Sequence, residues 1–152
     1  MKAAAAALAL LITGTVGHAA GEPPLPEVAT ALERIRDHST IELTTTGRRS
    51  GRDHVKPIWF VVSDGGILVQ AGKDGSTDWY RNLVKNPSVL VRQGEYTFRS
   101  RAVPITDPVR VRHVHDLFLR KYTSARVLSW FGSSIGQGHP VELLPVSVVV
   151  RR

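Results

Sequence analysis

The residues with the most suggestive chemistry lie in one stretch, Thr44-Thr45-Thr46-Gly47-Arg48-Arg49-Ser50-Gly51-Arg52, followed closely by Lys56. Arg48, Arg49, Arg52 and Lys56 place four positive charges within nine positions, and Ser50 adds a hydroxyl. Gly47 and Gly51 let the chain turn tightly and bring backbone N–H groups close to a ligand. Arginine carries a planar fork of donors that matches phosphate and carboxylate oxygens. The stretch therefore reads as a cradle for a phosphate or a polycarboxylate tail. A solvated loop between two strands has the same composition, so composition alone leaves both readings open.

A second stretch runs from Ala71 through Gly72-Lys73-Asp74-Gly75-Ser76-Thr77 to Asp78-Trp79-Tyr80-Arg81-Asn82-Leu83. A glycine-rich segment entering a helix points N–H groups and the positive end of the helix dipole toward a nearby anion. Asn82 follows Trp79 by three positions and shares its helix face. The plainer reading makes Trp79 a core anchor and Lys73 a surface charge. Other chemistries find less support. His113 and His115 are two apart, which on a helix sends them to different faces, and His38, His54 and His139 stand alone. With no cysteine, thiol catalysis, disulfides and thiolate metal sites are excluded. No nucleophile-elbow pattern is present for Ser/His/Asp hydrolysis.

These two stretches need elements to hold them. Pro26 can begin a helix, and Val28, Leu32 and Ile35 recur on one side of it. Residues 41–46 and 55–62 read as strands around the Gly/Arg/Ser loop, and Asp64-Gly65-Gly66 turns the chain into a third strand over 67–71. Pro57 requires an edge, a bulge, or a position where its carbonyl meets a ligand. Residues 77–85 form a helix with Trp79, Leu83 and Val84 on its inner face, stopped by Asn86-Pro87. Strands over 89–92 and 96–103 make a further hairpin. Asp107-Pro108 opens a longer helix with Val111, Val114, Leu117 and Phe118 inside. A short helix and a Gly/Ser loop are read over 124–138, and a strand over 141–150, bulged near Pro145, closes the chain. Hairpins with helices inserted between them predict an α+β fold, a mostly antiparallel split β-barrel with peripheral helices.

The 152 residues suit one domain, and 42% hydrophobic content is enough for an ordinary core. The net charge of +7, carried mostly by arginine, favours anionic partners or simply keeps the chain soluble. Lys2, the apolar run Ala3–Ile12 and the small residues up to Ala19 form a secretory signal pattern. The expected division is a signal over 1–19, a proline-rich linker over 20–26 and a barrel over 27–152, with periplasmic or secreted localisation.

Together, TTGRRSGR, KPIWFV and WYRNLVKNP resemble the deazaflavin-dependent nitroreductase/quinone reductase family over roughly residues 41–103. Its members are split β-barrels related to pyridoxamine-phosphate-oxidase-like flavoproteins. The resemblance implies a site for the deazaflavin F420, with FMN as the alternative, and hydride transfer to a quinone, nitro compound or activated alkene. By matching positions, Arg48, Arg49 and Ser50, with Arg52 beside them, would hold the phosphate and acidic tail. Lys56 and Pro57 would lie along the cofactor, with the backbone near Pro57 and Ile58 facing its ring, and Gly72, Lys73, Trp79 and Asn82 would complete the phosphate side. Tyr122, the tyrosine by the C-terminal helix, would be the proton donor, although a tyrosine there serves equally as a core-edge residue. The family also implies a homodimer. Two rival readings stand beside this one. The first is a non-enzymatic periplasmic binding protein of the same fold. The second is association with nucleic acid or a membrane surface; no nucleic-acid motif supports the former, and peripheral membrane association remains an expectation of the charge.

Overall fold

The computed structural model describes residues 23–72, 75–122 and 138–151. The 124–138 reading and the signal segment therefore fall outside the described residues, apart from Gly138. The order is α1 (Pro26–Ile35), β1 (Thr40–Thr46), β2 (Asp53–Ser63), β3 (Gly66–Ala71), α2 (Asp78–Lys85), β4 (Ser88–Gln93), β5 (Tyr96–Pro104), α3 (Pro108–Lys121) and β6 (His139–Val150). The six strands form a closed antiparallel barrel in the order β1-β2-β3-β6-β5-β4. The expected split-barrel class is the observed one.

Local chemistry sets each hairpin. Ser63 pairs with Gly66 across Asp64 and Gly65, whose φ values of 50° and 76° give a two-residue turn matching the strand twist. Strand alternation then fills the barrel. Ile41, Leu43, Phe60, Val69, Val91, Phe98 and Leu143 point inward and are fully or almost fully buried. α1 plugs one end of this core with Val28, Leu32 and Ile35, and Leu83 of α2 closes on it as well. A smaller apolar cluster lies outside the barrel wall, where Val114 and Phe118 of α3 cover Val61 and Leu68.

Two features go beyond the sequence expectations. β6 inserts between β3 and β5, so that Val141 pairs with Val69 on one side and with Pro104 on the other. Its register slips opposite Arg99 and Ser100, beside Pro145, which is the bulge the sequence suggests. β2 is shared unevenly: Asp53–Trp59 pair with β1, whereas Phe60–Ser63 pair with β3. The lower half of β2 thus projects past β3, and residues 53–57 are exposed.

In α2, Val84 is 55% exposed, against the expectation of an inner position, and Asn82 is buried in its place. The polar side chain goes inside because it finds partners there.

Candidate functional site

The β1–β2 turn is built tightly on itself. Gly47 N–H donates to Arg52 O (2.7 Å), and Gly51 N–H donates to Gly47 O (2.9 Å). Gly51 has φ +66°, a conformation that strains any residue with a Cβ. Gly47 is required for a different reason. A Cβ there would stand 2.5 Å from Ser50 Oγ and 2.7 Å from His54 Nε2. Ser50 Oγ also accepts from Arg52 N–H at 3.2 Å and lies 3.5 Å from His54 Nε2. Serine and histidine thus close over the bare face of Gly47.

Asn82 joins this turn to α2. It is 3% exposed, and its Oδ1 accepts from Arg48 N–H and from Arg48 Nη1, both at 3.1 Å. Its Nδ2 donates to the buried Thr45 Oγ1 at 3.4 Å. Arg48 Nη1 also meets Asp78 Oδ1 at 3.0 Å, and Asn86 Nδ2 donates to Thr46 O at 3.2 Å. The two sequence stretches are therefore physically one unit. Within it Arg48, whose side chain is 23% exposed, is committed to holding α2. Arg49, Ser50, Arg52 and Lys56 remain exposed around the turn.

The uncovered half of β2 supplies an edge. Phe60 N–H, Phe60 O and Val62 O are bonded on the side away from β3 by Tyr122, Lys121 and Arg36. Backbone alternation then turns Pro57 toward the β3 side, below the point where β3 pairing stops. Its missing N–H costs no ladder bond there, which accounts for a proline inside a strand. Ile58 faces the interior at 8% exposed.

On the other flank, a Cβ added at Gly72 would meet nothing within 4 Å, so that segment borders open space. Lys73 lies outside the described residues. Trp79 packs on the barrel core and stands edge-on to Tyr80, with ring centroids 6.2 Å apart. Tyr80 in turn lies 5.9 Å from the His139 ring. Thr77 is the N-cap of α2 yet makes no capping bond, and its buried Oγ1 has no hydrogen-bond partner among the described residues. The hydroxyl at the α2 N-terminus and the exposed cations of the β1–β2 turn, which Arg48 and Asp78 tie to α2, are groups that fit a polyanionic ligand.

Tyr122 is placed elsewhere. It packs at Trp59, which pairs with Thr40, whereas the cationic turn begins beyond Thr46. Six strand residues separate those rows, about 20 Å of backbone. Tyr122 is 5% exposed; its Oη accepts from Phe60 N–H at 3.0 Å and donates toward Phe60 O (2.7 Å) or Ser39 O (2.8 Å). Burial pushes its pKa up to about 12, against a smaller opposing effect of the Phe60 backbone. The structure thus brings Arg48, Arg49, Ser50, Arg52 and Asn82 together and leaves Tyr122 at the far end of the hairpin.

Residues that the sequence reading passed over now join the site. His54, which stands alone in the sequence, contacts the turn; its spacing of four from Ser50 across a glycine-bearing loop is the available signal. Thr77 and Tyr80 lie within the stretch the sequence singles out, whereas His139 carries no local signal and is brought there by its contact with Tyr80.

A six-stranded antiparallel barrel with a cationic turn locked to a Trp-bearing helix places the chain among the split β-barrels. The chain belongs, among these, to the F420H(2)-dependent quinone reductase family, whose model matches residues 26–127. That is a family of oxidoreductases. The Mycobacterium tuberculosis protein Rv3178, named as an F420H(2)-dependent quinone reductase, is 30% identical over 76 residues. The match covers 48% of this chain and 64% of that relative, less than two thirds of its length. Among solved structures, an F420-H2 dependent reductase (FDR-A) is 25% identical with a TM-score of 0.52, over 70% of this chain and 94% of the other. A Listeria innocua protein described as a pyridoxamine 5'-phosphate oxidase is similar in fold (TM-score 0.60, 11% identity), covering 82% of this chain and 97% of its own.

Proposed function

We propose that this chain binds F420 and transfers a hydride from its reduced form to a quinone, nitro compound or activated alkene. The observation that carries this reading is the Asn82 lock. It fixes the turn against α2 and leaves Arg49, Arg52 and Lys56 exposed, with a Thr77 hydroxyl at the start of α2 that has no partner among the described residues. Arg49, Ser50, Arg52 and Lys56 would hold the phosphate and acidic tail, with Thr77 adding a donor from the α2 side. The backbone at Pro57 and Ile58 would border the ring, with Trp79 nearby, and Arg48 and Asn82 position the turn. The cofactor, when bound, supplies the hydride; the residues named bind and orient it. The closed turn holds its donors in place before the ligand arrives, so little ordering remains to be done on binding.

We assign Tyr122 to the fold rather than to proton delivery, since its hydroxyl proton is held by backbone carbonyls. That assignment also favours the second reading, a binding protein without turnover. Export through residues 1–19 is part of the proposal, and a mature N-terminus at Ala20 in the periplasmic or secreted fraction would support it.

Titration of the full chain with F420, followed by tryptophan fluorescence, tests the site. Saturable binding is expected, weakened at least tenfold in Arg49→Ala/Lys56→Ala. Equal affinity in that variant would refute the assigned site. Binding with no reduction of any quinone or nitro acceptor would move the chain to the binding-protein reading.

A further inference from the structure

α3 covers Val61 of β2 and Leu68 of β3. In the strand order β1-β2-β3-β6-β5-β4, the pair β4 and β5 lies across the barrel from that helix. Strand alternation divides this pair into two faces. Val89, Val91 and Phe98 fill the core, whereas Ser88, Leu90 and Arg92 of β4 and Thr97, Arg99 and Arg101 of β5 face outward. Register sets the outward residues side by side: Ser88 opposes Arg101, Leu90 opposes Arg99, and Arg92 opposes Thr97. β6 extends the face, with Ser147 opposite Arg99 and Val149 opposite Thr97.

The face is at once cationic and aliphatic. Arg99 and Arg101 are exposed and enter no ion pair among the described residues, so the fold does not spend their donors. Arg92 is held by Glu42 of β1. Between the arginines Leu90 is 36% exposed and Val149 53%, and Val146, the extra residue of the β6 bulge, is exposed as well.

This combination selects among partners. A second copy would set like charges against each other across the contact. Nucleic acid held by a sheet needs rings on which its bases stack, and the outward positions of β4 and β5 carry no aromatic residue. An anionic bilayer matches both halves of the face. Arginine forks meet lipid phosphates, and aliphatic side chains enter the headgroup layer between them.

We infer that the β4–β5 face docks this protein on an anionic phospholipid surface, with Arg99 and Arg101 on the phosphates and Leu90 and Val149 among the headgroups. None of these residues belongs to the site proposed for F420, so the inference stands whether or not that reading does.

Co-sedimentation of the full chain with lipid vesicles tests it. Vesicles of equal parts phosphatidylglycerol and phosphatidylcholine should bind the chain at least tenfold more tightly than phosphatidylcholine alone. The apolar run over residues 3–12 is blind to headgroup charge, so this excess reads the folded face. It should fall steeply between about 0.05 M and about 0.5 M salt, as exposed charges are screened. Each basic residue at an anionic surface is worth about fivefold in affinity, so Arg99→Glu/Arg101→Glu should lower the excess at least tenfold. Arg112→Glu/Arg120→Glu changes the net charge equally on α3, across the barrel, and should keep most of it. Leu90→Ser/Val149→Ser leaves the charge intact and should weaken binding several-fold. All six positions are exposed, and matching urea midpoints would show that the variants fold. Equal binding to both vesicles, equal losses in the two arginine pairs, or tighter binding to a single-stranded oligonucleotide than to the anionic vesicles would each overturn the inference.

Discussion

The two ends of the β1–β2 hairpin are closed in the same manner and to different effect. At one end Asn82 reaches from α2 and bonds to Thr45 and Arg48; at the other Tyr122 reaches from the end of α3 and bonds to Phe60 and Ser39. Each is a buried polar side chain holding backbone that no neighbouring strand completes. At the Tyr122 end the hydroxyl is consumed by its contacts and stacks on Trp59 at 4.6 Å. At the Asn82 end the lock leaves three exposed cations, and the Thr77 hydroxyl has no partner among the described residues. Anion binding fits the Asn82 end, where Arg49, Arg52 and Lys56 stand exposed around the turn.

The contrast can be broken by mutation. Tyr122→Ala removes a buried ring and leaves Phe60 N–H without its partner. A loss of about 3–5 kcal/mol is expected in urea unfolding, with F420 affinity of the folded fraction unchanged. A parallel collapse of affinity would mean that the two ends are not separable. Asn82→Ala should cost less, about 1–3 kcal/mol for the donors and acceptors it orphans, yet weaken F420 binding several-fold. Calorimetric titration beside the unfolding curve would show whether stability and affinity part company in this way.

The smallest effect is in pH dependence, and its sign differs for adjacent residues. Burial lowers Lys121 from 10.5 to about 8. Between those values the unfolded chain holds a proton that the folded chain has released, so stability rises with pH across that window. Burial raises Tyr122 from 10 to about 12. There the folded chain keeps a proton that the unfolded chain has lost, so its contribution is full below pH 10 and disappears as pH rises through 12. Urea midpoints at pH 8, 9.5 and 11.5 should pass through a maximum. Lys121→Met should flatten the rise and Tyr122→Phe the fall; a monotonic wild-type profile would contradict both assignments.

Much of this was legible in the residues. Every strand and helix among the described residues carries its own period or turn signal, and the Gly/Arg turn and the Trp helix announced themselves by composition. Their union through Asn82 was only half legible. Periodicity nominated Val84 for the interior because it weighs hydrophobicity, and the burial of Asn82 depends on partners 34 and 37 positions away. The place of β6 between β3 and β5 was illegible for the same reason, since no local signal records which edges a strand will join. His54 shows the matter at the level of one side chain: it stands alone in the sequence, and only the fold brings it to Ser50.

The insertion of β6 has a consequence for the protein's birth on the ribosome. β3 is complete by Ala71 and β5 by Pro104, but the strand that joins them begins only at His139. Until it emerges, two strand edges wait unpaired while more than thirty residues separate the finished part from its closure. Such non-local closure is slow and leaves edges open to wrong partners. The nascent chain is therefore at its most vulnerable just before its last strand appears, and it is then that a chaperone has an open edge to hold.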